Sequence, residues 1–156
     1  GDLPAVRCRE SRMTQAMTAL LTNAMEALDE RYPGGHENKR ITIRAEGRSQ
    51  PDAAGQSEDA EGRLRSAPDH GSVPSSAGRF SSVHLTIEDC GPGLAEDIRQ
   101  RMFEPFFTTK DRARHSGLGL WICRSIVQEH GGVLSVESDV GQWTRFHVDL
   151  PVGHFE

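Results

Sequence analysis

The stretch VHLTIEDCGPG at residues 83–93 contains the pattern that decides the fold. Its first six residues alternate apolar and polar side chains, which predicts a strand with one buried face. Asp89 follows where that strand ends, and Gly91 and Gly93 come next. Glycine lets a backbone turn sharply and approach another group closely. The stretch therefore predicts a strand that brings a carboxylate and a flexible turn to one edge of a sheet, although an ordinary strand-to-helix turn uses the same residue types.

The same alternation predicts three further strands. They cover Ile41 to Ala45, Val133 to Glu137 and Thr144 to Leu150, and a loop around Gly141 joins the last two as a hairpin. Each strand has one polar and one apolar face. We therefore expect an α+β fold in which helices cover the sheet on one side only.

Two segments have the apolar spacing of amphipathic helices. Residues 11–30 form the first, with Ser11 as its N-cap and Pro33-Gly34-Gly35 as its stop. The second opens at Gly117-Leu118-Gly119-Leu120 and ends at Gly131-Gly132, a pair that suits a helix C-terminus.

Residues 47–80 differ in composition from the rest of the chain. They hold 5 Gly, 3 Pro, 6 Ser and 5 Ala, and their large apolar residues are Leu64, Val73 and Phe80. Such a stretch cannot bury enough surface to offset its ordering entropy. It predicts a disordered or loosely ordered insertion in a β-hairpin, within a single domain that spans residues 1–156.

Charge and cysteine usage exclude several classes of protein. The net charge of −5 comes from 23 acidic and 18 basic residues without a basic run, which argues against a nucleic-acid or anionic-membrane surface. Cys8, Cys90 and Cys123 lack paired spacing, so we expect a reducing compartment and no disulfide scaffold. No apolar run approaches the roughly 20 residues of a membrane span. We expect a fragment whose membrane attachment, if the parent has one, lies elsewhere.

Two polar side chains lie on one face of the first helix. Asn23 is a poor helix former, and Glu26 follows three residues later on the same face. An amide oxygen beside a carboxylate suits a hydrated Mg²⁺, which prefers oxygen ligands and keeps several waters. An exposed polar residue without a function is the alternative.

Two further motifs point to phosphate. In FEPFFTTK at residues 103–110, the aromatic residues would anchor a loop from which Lys110 reaches phosphate as a point charge, or they form a core corner before a solvated lysine. Residues 117–120, GLGL, open a helix whose free N–H groups and dipole favour phosphate. A lone G-x-G is weak evidence for phosphate binding, and no strand precedes it as one does in a Rossmann fingerprint.

The order of these motifs is more specific than any one of them. The chain reads N-A-x-E-A at 23–27, D-x-G-x-G at 89–93, F-x-P-F-F-T-T-K at 103–110, G-L-G-L at 117–120 and T-x-F at 144–146. This series resembles the N, G1, F, G2 and G3 boxes of the catalytic domain of sensor histidine kinases, in the GHKL superfamily. It is most similar to nitrogen-regulator and sporulation kinases. The resemblance implies a Bergerat α/β sandwich, a mixed, mostly antiparallel sheet with helices packed on one face, and it implies ATP and Mg²⁺ as ligands.

By this resemblance, Asn23 is the metal ligand, Asp89 accepts a hydrogen bond from the adenine amine, and Thr144 lines the far side of the adenine pocket. Residues 108–116 correspond to a lid over ATP, with Lys110 near the phosphates. The implied ATP-binding residues are Asn23, Glu26, Ala27, Asp89, Gly91, Gly93, Leu94, Thr108, Thr109, Lys110, Gly117, Leu118, Gly119, Leu120 and Thr144.

The resemblance also implies a protein-histidine kinase whose phosphoacceptor lies on a separate dimerisation domain, absent from this chain. The implied partners are that domain, in a homodimer, and a response regulator, in the cytoplasm. We predict no catalytic residue and no phosphoacceptor among the histidines here, which are His36, His70, His84, His115, His130, His147 and His154.

Two positions depart from the family pattern. Ala19 replaces a second Asn of many kinases, and family ATPases carry a Glu there. Trp143 replaces a glycine of the last box, where it would reshape the adenine side or cap the sheet. The alternatives are therefore a GHKL ATPase, which the missing Glu disfavours, or a catalytically weak ATP-binding regulatory module.

Overall fold

The computed structural model describes residues 3–49, 80–112 and 115–153. The elements follow in the order α1 (Glu10–Arg31), β1 (Ile41–Arg48), β2 (Ser82–Asp89), α2 (Glu96–Arg101), α3 (Gly119–Glu129), β3 (Val133–Asp139) and β4 (Trp143–Pro151). The sequence predicted all of them except α2. That helix has no buried residue, so it leaves no apolar stripe in the sequence.

The four described strands form one sheet in the order β1-β2-β4-β3, and each neighbouring pair is antiparallel. The predicted α+β fold with a mostly antiparallel sheet is thereby confirmed. In the central pair, Asp89 at the end of β2 lies opposite Thr144 at the start of β4. The turn after β2 and the turn before β4 therefore meet at the same end of the two central strands.

The core lies between one face of the sheet and helices α1 and α3. On α1, residues four apart face inward, and Leu20 is fully buried. Phe146 of β4 and Ile126 of α3 are buried against the same cluster. The opposite face of the sheet holds polar side chains, among them the His84 ring bonded to Asp149 at 2.7 Å. This confirms that helices cover one side.

The edge strand β1 departs in detail from the prediction. Ile43 is 55% exposed, because an edge strand has a neighbour on one side only. The strand also continues through Gly47 and Arg48, where the sequence predicted the insertion to begin. A Cβ on Gly47 would lie 2.7 Å from the Phe80 ring, so Phe80 packs over that glycine. The remainder of the predicted insertion, residues 50–79, lies outside the described residues.

The helix ends are partly as predicted. Ser11 is not the N-cap of α1, since the helix begins at Glu10 after Arg9 and has no side-chain cap. The end of α3 is as expected: Gly131 has φ 67° and donates to Gln128 O at 2.9 Å. Neither α1 nor the other helices of the described segments have the length and apolar character needed to cross a membrane.

Candidate functional site

A cavity of about 340 Å³ lies between α1 and the segment that runs from β2 to α3. Many of the residues predicted from the sequence line it. From that set the lining includes Asn23, Glu26, Leu94, Thr108, Thr109, Lys110, Gly117, Gly119 and Leu120. The remaining lining residues are Ala19, Thr22, Ile98, Met102, Phe107, His115 and Ser116. Segments far apart in sequence thus converge on one space.

One wall of the cavity is the face of α1 next to its buried face. Leu20 and Ala24 point into the core, and Asn23 and Glu26, at neighbouring positions of the same helix, line the cavity. Ala19 lies one turn before Asn23 on this wall. Its methyl group can neither bind a metal nor move a proton.

Lys110 reaches into the cavity and forms an ion pair with the carboxylate of Glu26. On the other oxygen of Glu26, the ring Nδ1 of His115 lies at 3.8 Å. The backbone N–H of Lys110 donates to Thr108 Oγ1 at 3.1 Å, which tightens the turn that carries the lysine. The two ends of the predicted lid therefore meet at one carboxylate, while residues 113 and 114 lie outside the described residues.

The backbone at the base of this segment is unusual at two positions. Phe106 has φ 64°, a region that side chains other than glycine rarely adopt, and Gly117 has φ 69°. A Cβ on Gly117 would lie 2.6 Å from the Phe106 carbonyl carbon, so the two backbones pack directly. A residue with a side chain would not fit at Gly117, where the two ends of the segment from Phe106 to Gly117 come together.

The aromatic residues of the FEPFFTTK motif divide into two roles. The Phe103 ring packs edge-on against Phe146 with centroids 6.5 Å apart, and the Phe107 ring lies beneath Arg101 at 4.6 Å. Phe106, in contrast, is 68% exposed. The prediction that all three anchor the loop is wrong for Phe106, because its strained backbone turns the side chain outward.

Asp89 is buried at the end of β2, with 1% of its surface exposed. Its Oδ1 accepts the Gly91 N–H at 2.9 Å. Its Oδ2 is buried and has no hydrogen-bond partner among the residues that the structure describes. A Cβ on Gly91 would lie 2.6 Å from Oδ1 and 3.0 Å from the Ala27 Cβ, so this position has room for glycine alone. The result is a buried acceptor without a donor.

The pKa of Asp89 is raised from 3.8 to about 6. Burial is the main cause, since it disfavours the charged form, and the nearby charge of Glu88 adds to it. The Gly91 N–H and the positive charge of Lys110 act in the opposite direction. Asp89 is therefore electrostatically coupled to the lysine of the cavity.

The turn after β2 is fastened to the β3–β4 hairpin. Gly93 has φ 70°, and a Cβ there would lie 2.2 Å from the Asp139 carbonyl oxygen. Leu94 N–H donates to Ser138 Oγ at 2.8 Å, and Ser138 Oγ lies 3.2 Å from Thr144 Oγ1. No sequence pattern indicates this role for Ser138, because a serine in an alternating strand is an ordinary residue.

Six of the predicted residues do not line the cavity: Ala27, Asp89, Gly91, Gly93, Leu118 and Thr144. Gly91 lies between Asp89 and Ala27, since a Cβ there would meet both side chains. Leu94 belongs to both regions, since it lines the cavity and bonds Ser138. The site has two ends, a cavity with polar and charged groups and a buried carboxylate beside a glycine turn.

Trp143 is not at this site. It precedes Thr144 in β4, and successive residues of a strand face opposite sides. The guanidinium of Arg145 lies 4.6 Å from the Trp143 ring centroid. Of the two alternatives for Trp143, the geometry supports capping of the polar face of the sheet.

Comparisons with known proteins agree with this geometry. Residues 8–154 match the family of histidine kinase-, DNA gyrase B-, and HSP90-like ATPases. Sporulation kinase E of Bacillus subtilis (strain 168) is 32% identical over 151 residues, which are 97% of this chain and 15% of that protein. Sensor histidine kinase ZraS of Escherichia coli O157:H7 is 37% identical over 150 residues, 96% of this chain and 24% of that protein.

A solved structure has the same fold. The catalytic domain of histidine kinase ThkA superposes with a TM-score of 0.60 at 26% identity, over 94% of this chain and 71% of that chain. The chain thus spans between 15% and 24% of the length of the two curated relatives named above.

Proposed function

The chain belongs to the family of histidine kinase-, DNA gyrase B-, and HSP90-like ATPases, and on that basis we propose that it binds Mg·ATP and presents the γ-phosphate to a histidine on a separate dimerisation domain. Its homology to sensor histidine kinases supports the kinase assignment. The observation that carries the proposal is the buried Oδ2 of Asp89, which has no hydrogen-bond partner among the described residues, on a carboxylate that interacts electrostatically with Lys110 of the cavity.

The adenine end of the proposed site is the turn after β2. An exocyclic amine is a hydrogen-bond donor, and Asp89 Oδ2 is a buried acceptor. Leaving such a group unsatisfied costs about 1–3 kcal/mol, so a donor that fills the place gains affinity. Gly91 permits a flat ring to approach the backbone, because it has no side chain in the way.

The phosphate end of the proposed site is the cavity. Lys110 supplies a positive charge, and the first turn of α3 at Gly119 supplies free N–H groups. Lys110 is paired with Glu26, so we expect phosphate to compete with that carboxylate for the lysine. The ion pair would hold the lysine inside the cavity until a nucleotide arrives.

Mg²⁺ would be held by Asn23, with Glu26 beside it. Among the described residues, no group of three or more His, Cys, Asp or Glu side chains is arranged to bind a metal. Mg²⁺ needs no such group, since one or two protein oxygens usually suffice beside waters and substrate phosphates. When bound, the ion would neutralise phosphate charge.

The chemistry left to this chain is positioning. Phosphoryl transfer depends mostly on alignment and charge neutralisation, which Asp89, Asn23 and Lys110 would supply. The proposal places the acceptor histidine, the homodimer contacts and the response regulator outside this chain, in a cytoplasmic setting. Hydrolysis has less support, because Ala19 provides no group to activate water.

The metal assignment can be tested by titrating ATP with and without Mg²⁺. We expect Asn23→Ala to bind ATP equally under both conditions, whereas the wild type binds more tightly with Mg²⁺. Asn38→Ala is the control, because Asn38 lies on the exposed loop before β1. A Mg²⁺ effect of wild-type size in Asn23→Ala would show that the ion binds elsewhere.

A further inference from the structure

We infer that Arg31 is a positioning residue for the nucleotide base: it clamps the turn after β2 against the turn before β4 and thereby fixes the direction of Asp89 Oδ2. Arg31 is the last residue of α1 and does not line the cavity. The inference rests on the proposed function, since it names a residue that would shape the same site from behind.

The clamp consists of three hydrogen bonds from one nitrogen. Arg31 Nη1 donates to Gly91 O at 2.7 Å and to Cys90 O at 3.2 Å, both in the turn after β2. It also donates to Gln142 O at 3.1 Å, in the turn before β4. The nitrogen has two hydrogens, so one of them is shared between two carbonyls. A single side chain therefore joins both turns to the end of α1.

Among the described arginines that form hydrogen bonds or ion pairs, Arg31 has a different kind of partner. Arg12, Arg48, Arg99, Arg101 and Arg145 each pair with a carboxylate, as surface arginines commonly do. Within the described residues Arg31 bonds to carbonyl oxygens instead. Its guanidinium also lies 5.3 Å from the Tyr32 ring centroid, a cation–π distance. A cation is favoured at the C-terminal end of a helix, where carbonyls are unsatisfied.

The effect of the clamp reaches Asp89 through Gly91. Arg31 fixes the carbonyl of Gly91, and the N–H of the same residue bonds Asp89 Oδ1. The carboxylate is thereby held by one oxygen, and the other is buried without a hydrogen-bond partner in the described part of the chain. Arg31 thus orients an acceptor that it does not touch.

Removing the clamp should leave the fold intact. The two turns are also joined farther along, where Gly141 N–H donates to Pro92 O at 2.6 Å and Leu94 N–H donates to Ser138 Oγ at 2.8 Å. Arg31 acts on the part nearest Asp89, which has no such second connection in the described hydrogen bonds. We therefore expect a local loss of order around Gly91.

The test compares Arg31→Ala and Arg31→Lys with the wild type in titrations of ATP and of GTP, both with Mg²⁺. GTP has a carbonyl oxygen where adenine has its amine, so it gains nothing from a well-aimed acceptor. In Arg31→Ala we expect ATP affinity to fall about tenfold, the size of one good charge-assisted hydrogen bond. GTP affinity should change less than twofold, and Arg31→Lys should recover part of the selectivity.

A pH series of ATP affinity adds a second readout. The Gly91 N–H lowers the pKa of Asp89, so a looser Gly91 should move the midpoint of the pH profile upward in Arg31→Ala. Arg12→Ala is the matched control, because Arg12 lies on the same helix and pairs with Glu129 at the surface. It should retain the wild-type selectivity and midpoint.

An unchanged ATP-to-GTP ratio and an unchanged midpoint in folded Arg31→Ala would overturn the inference alone. If Arg31→Ala does not fold, the same two readouts in Arg31→Lys decide. A wild-type protein that binds neither nucleotide would overturn the proposed function, and the inference with it.

Discussion

The surroundings of Asp89 disfavour the ionised form of its carboxyl group. Burial and the neighbouring Glu88 raise its pKa to about 6, against the pull of the Gly91 N–H and Lys110. A bound base with a donor at Oδ2 would stabilise the ionised form. The free protein therefore holds a carboxylate whose ionised form is disfavoured, and the proposed donor at Oδ2 would offset part of that cost.

The raised pKa of Asp89 makes the stability of the folded protein depend on pH. The pKa of Asp89 rises on folding, from 3.8 to about 6, so the folded protein keeps a proton that the unfolded chain releases earlier. Between about pH 4 and 6 the free energy of unfolding falls as pH rises, by up to about 3 kcal/mol for a shift of this size. We expect Asp89→Asn to lack this fall and to be more stable than the wild type at pH 7. Denaturant unfolding at pH 4 and pH 7 measures the free energy of unfolding of both proteins. An identical pH dependence in the wild type and Asp89→Asn would contradict this expectation.

At the residue scale, Asn23, Asp89 and Lys110 could be singled out from the sequence, whereas Arg31 and Ser138 could not. Asn23, Asp89 and Lys110 belong to motifs whose residue types are unusual for their positions. Arg31 and Ser138 are ordinary at a helix end and in an alternating strand. Their contacts depend on segments about 60 and 44 residues away in the chain, which local pattern cannot show.

Among the elements, α1 serves two surfaces at once. Its residues four apart fill the core, and the adjacent positions turn Asn23 and Glu26 into the cavity. The pattern of α1, α3 and the four strands was readable from the sequence because each has a buried face with a regular period. Helix α2 has no buried face with such a period. The exposure of Phe106 follows from a positive φ, which its residue type does not predict.

The hairpin of β1 and β2 allows a test of the predicted insertion. The two strands pair as far as Arg48 and Ser82, and Ser81 N–H donates to Arg48 O at 2.8 Å. The strand ends therefore already lie side by side. Lengthening a loop costs only about 0.6 kcal/mol per doubling, so the intervening residues add little to that closure.

We predict that replacing residues 49–79 with a four-residue Gly/Asn turn preserves both folding and ATP affinity. Phe80 is retained because it packs over Gly47. Denaturant unfolding and titration of ATP measure the outcome, with the unaltered 156-residue chain as the control. Loss of the folded state, or a tenfold lower ATP affinity, would show that the segment is structural or part of the site.

For the molecule as a whole, the proposed function divides phosphoryl transfer between this chain and a partner domain. Asp89 follows the core residue Ile87 by two positions on β2, so it lies on the helix-covered side of the sheet, and residues of α1 line the cavity. The five histidines within the described segments are in strands, loops or at a helix end. Helical hairpins that carry a phosphoacceptor have their histidine within a helix. None of the five has that setting.

Incubation with γ-labelled ATP should therefore leave this chain unlabelled. Addition of a separately produced, histidine-bearing dimerisation domain should yield label on that domain, and replacement of its histidine by Ala should abolish the signal. Strong labelling of the chain alone would place the acceptor here and contradict the division of roles.

Calorimetric titration of ATP into the wild type and Asp89→Asn, at pH 7 with Mg²⁺, tests the central claim most directly. We predict wild-type binding in the micromolar-to-millimolar range, about −4 to −8 kcal/mol. Asn would present a donor to the adenine amine, so Asp89→Asn should lose about 1–3 kcal/mol. Asp97→Asn on the exposed side of α2 should bind as the wild type does. Equal ATP affinity in the wild type and Asp89→Asn would contradict the assignment of this site.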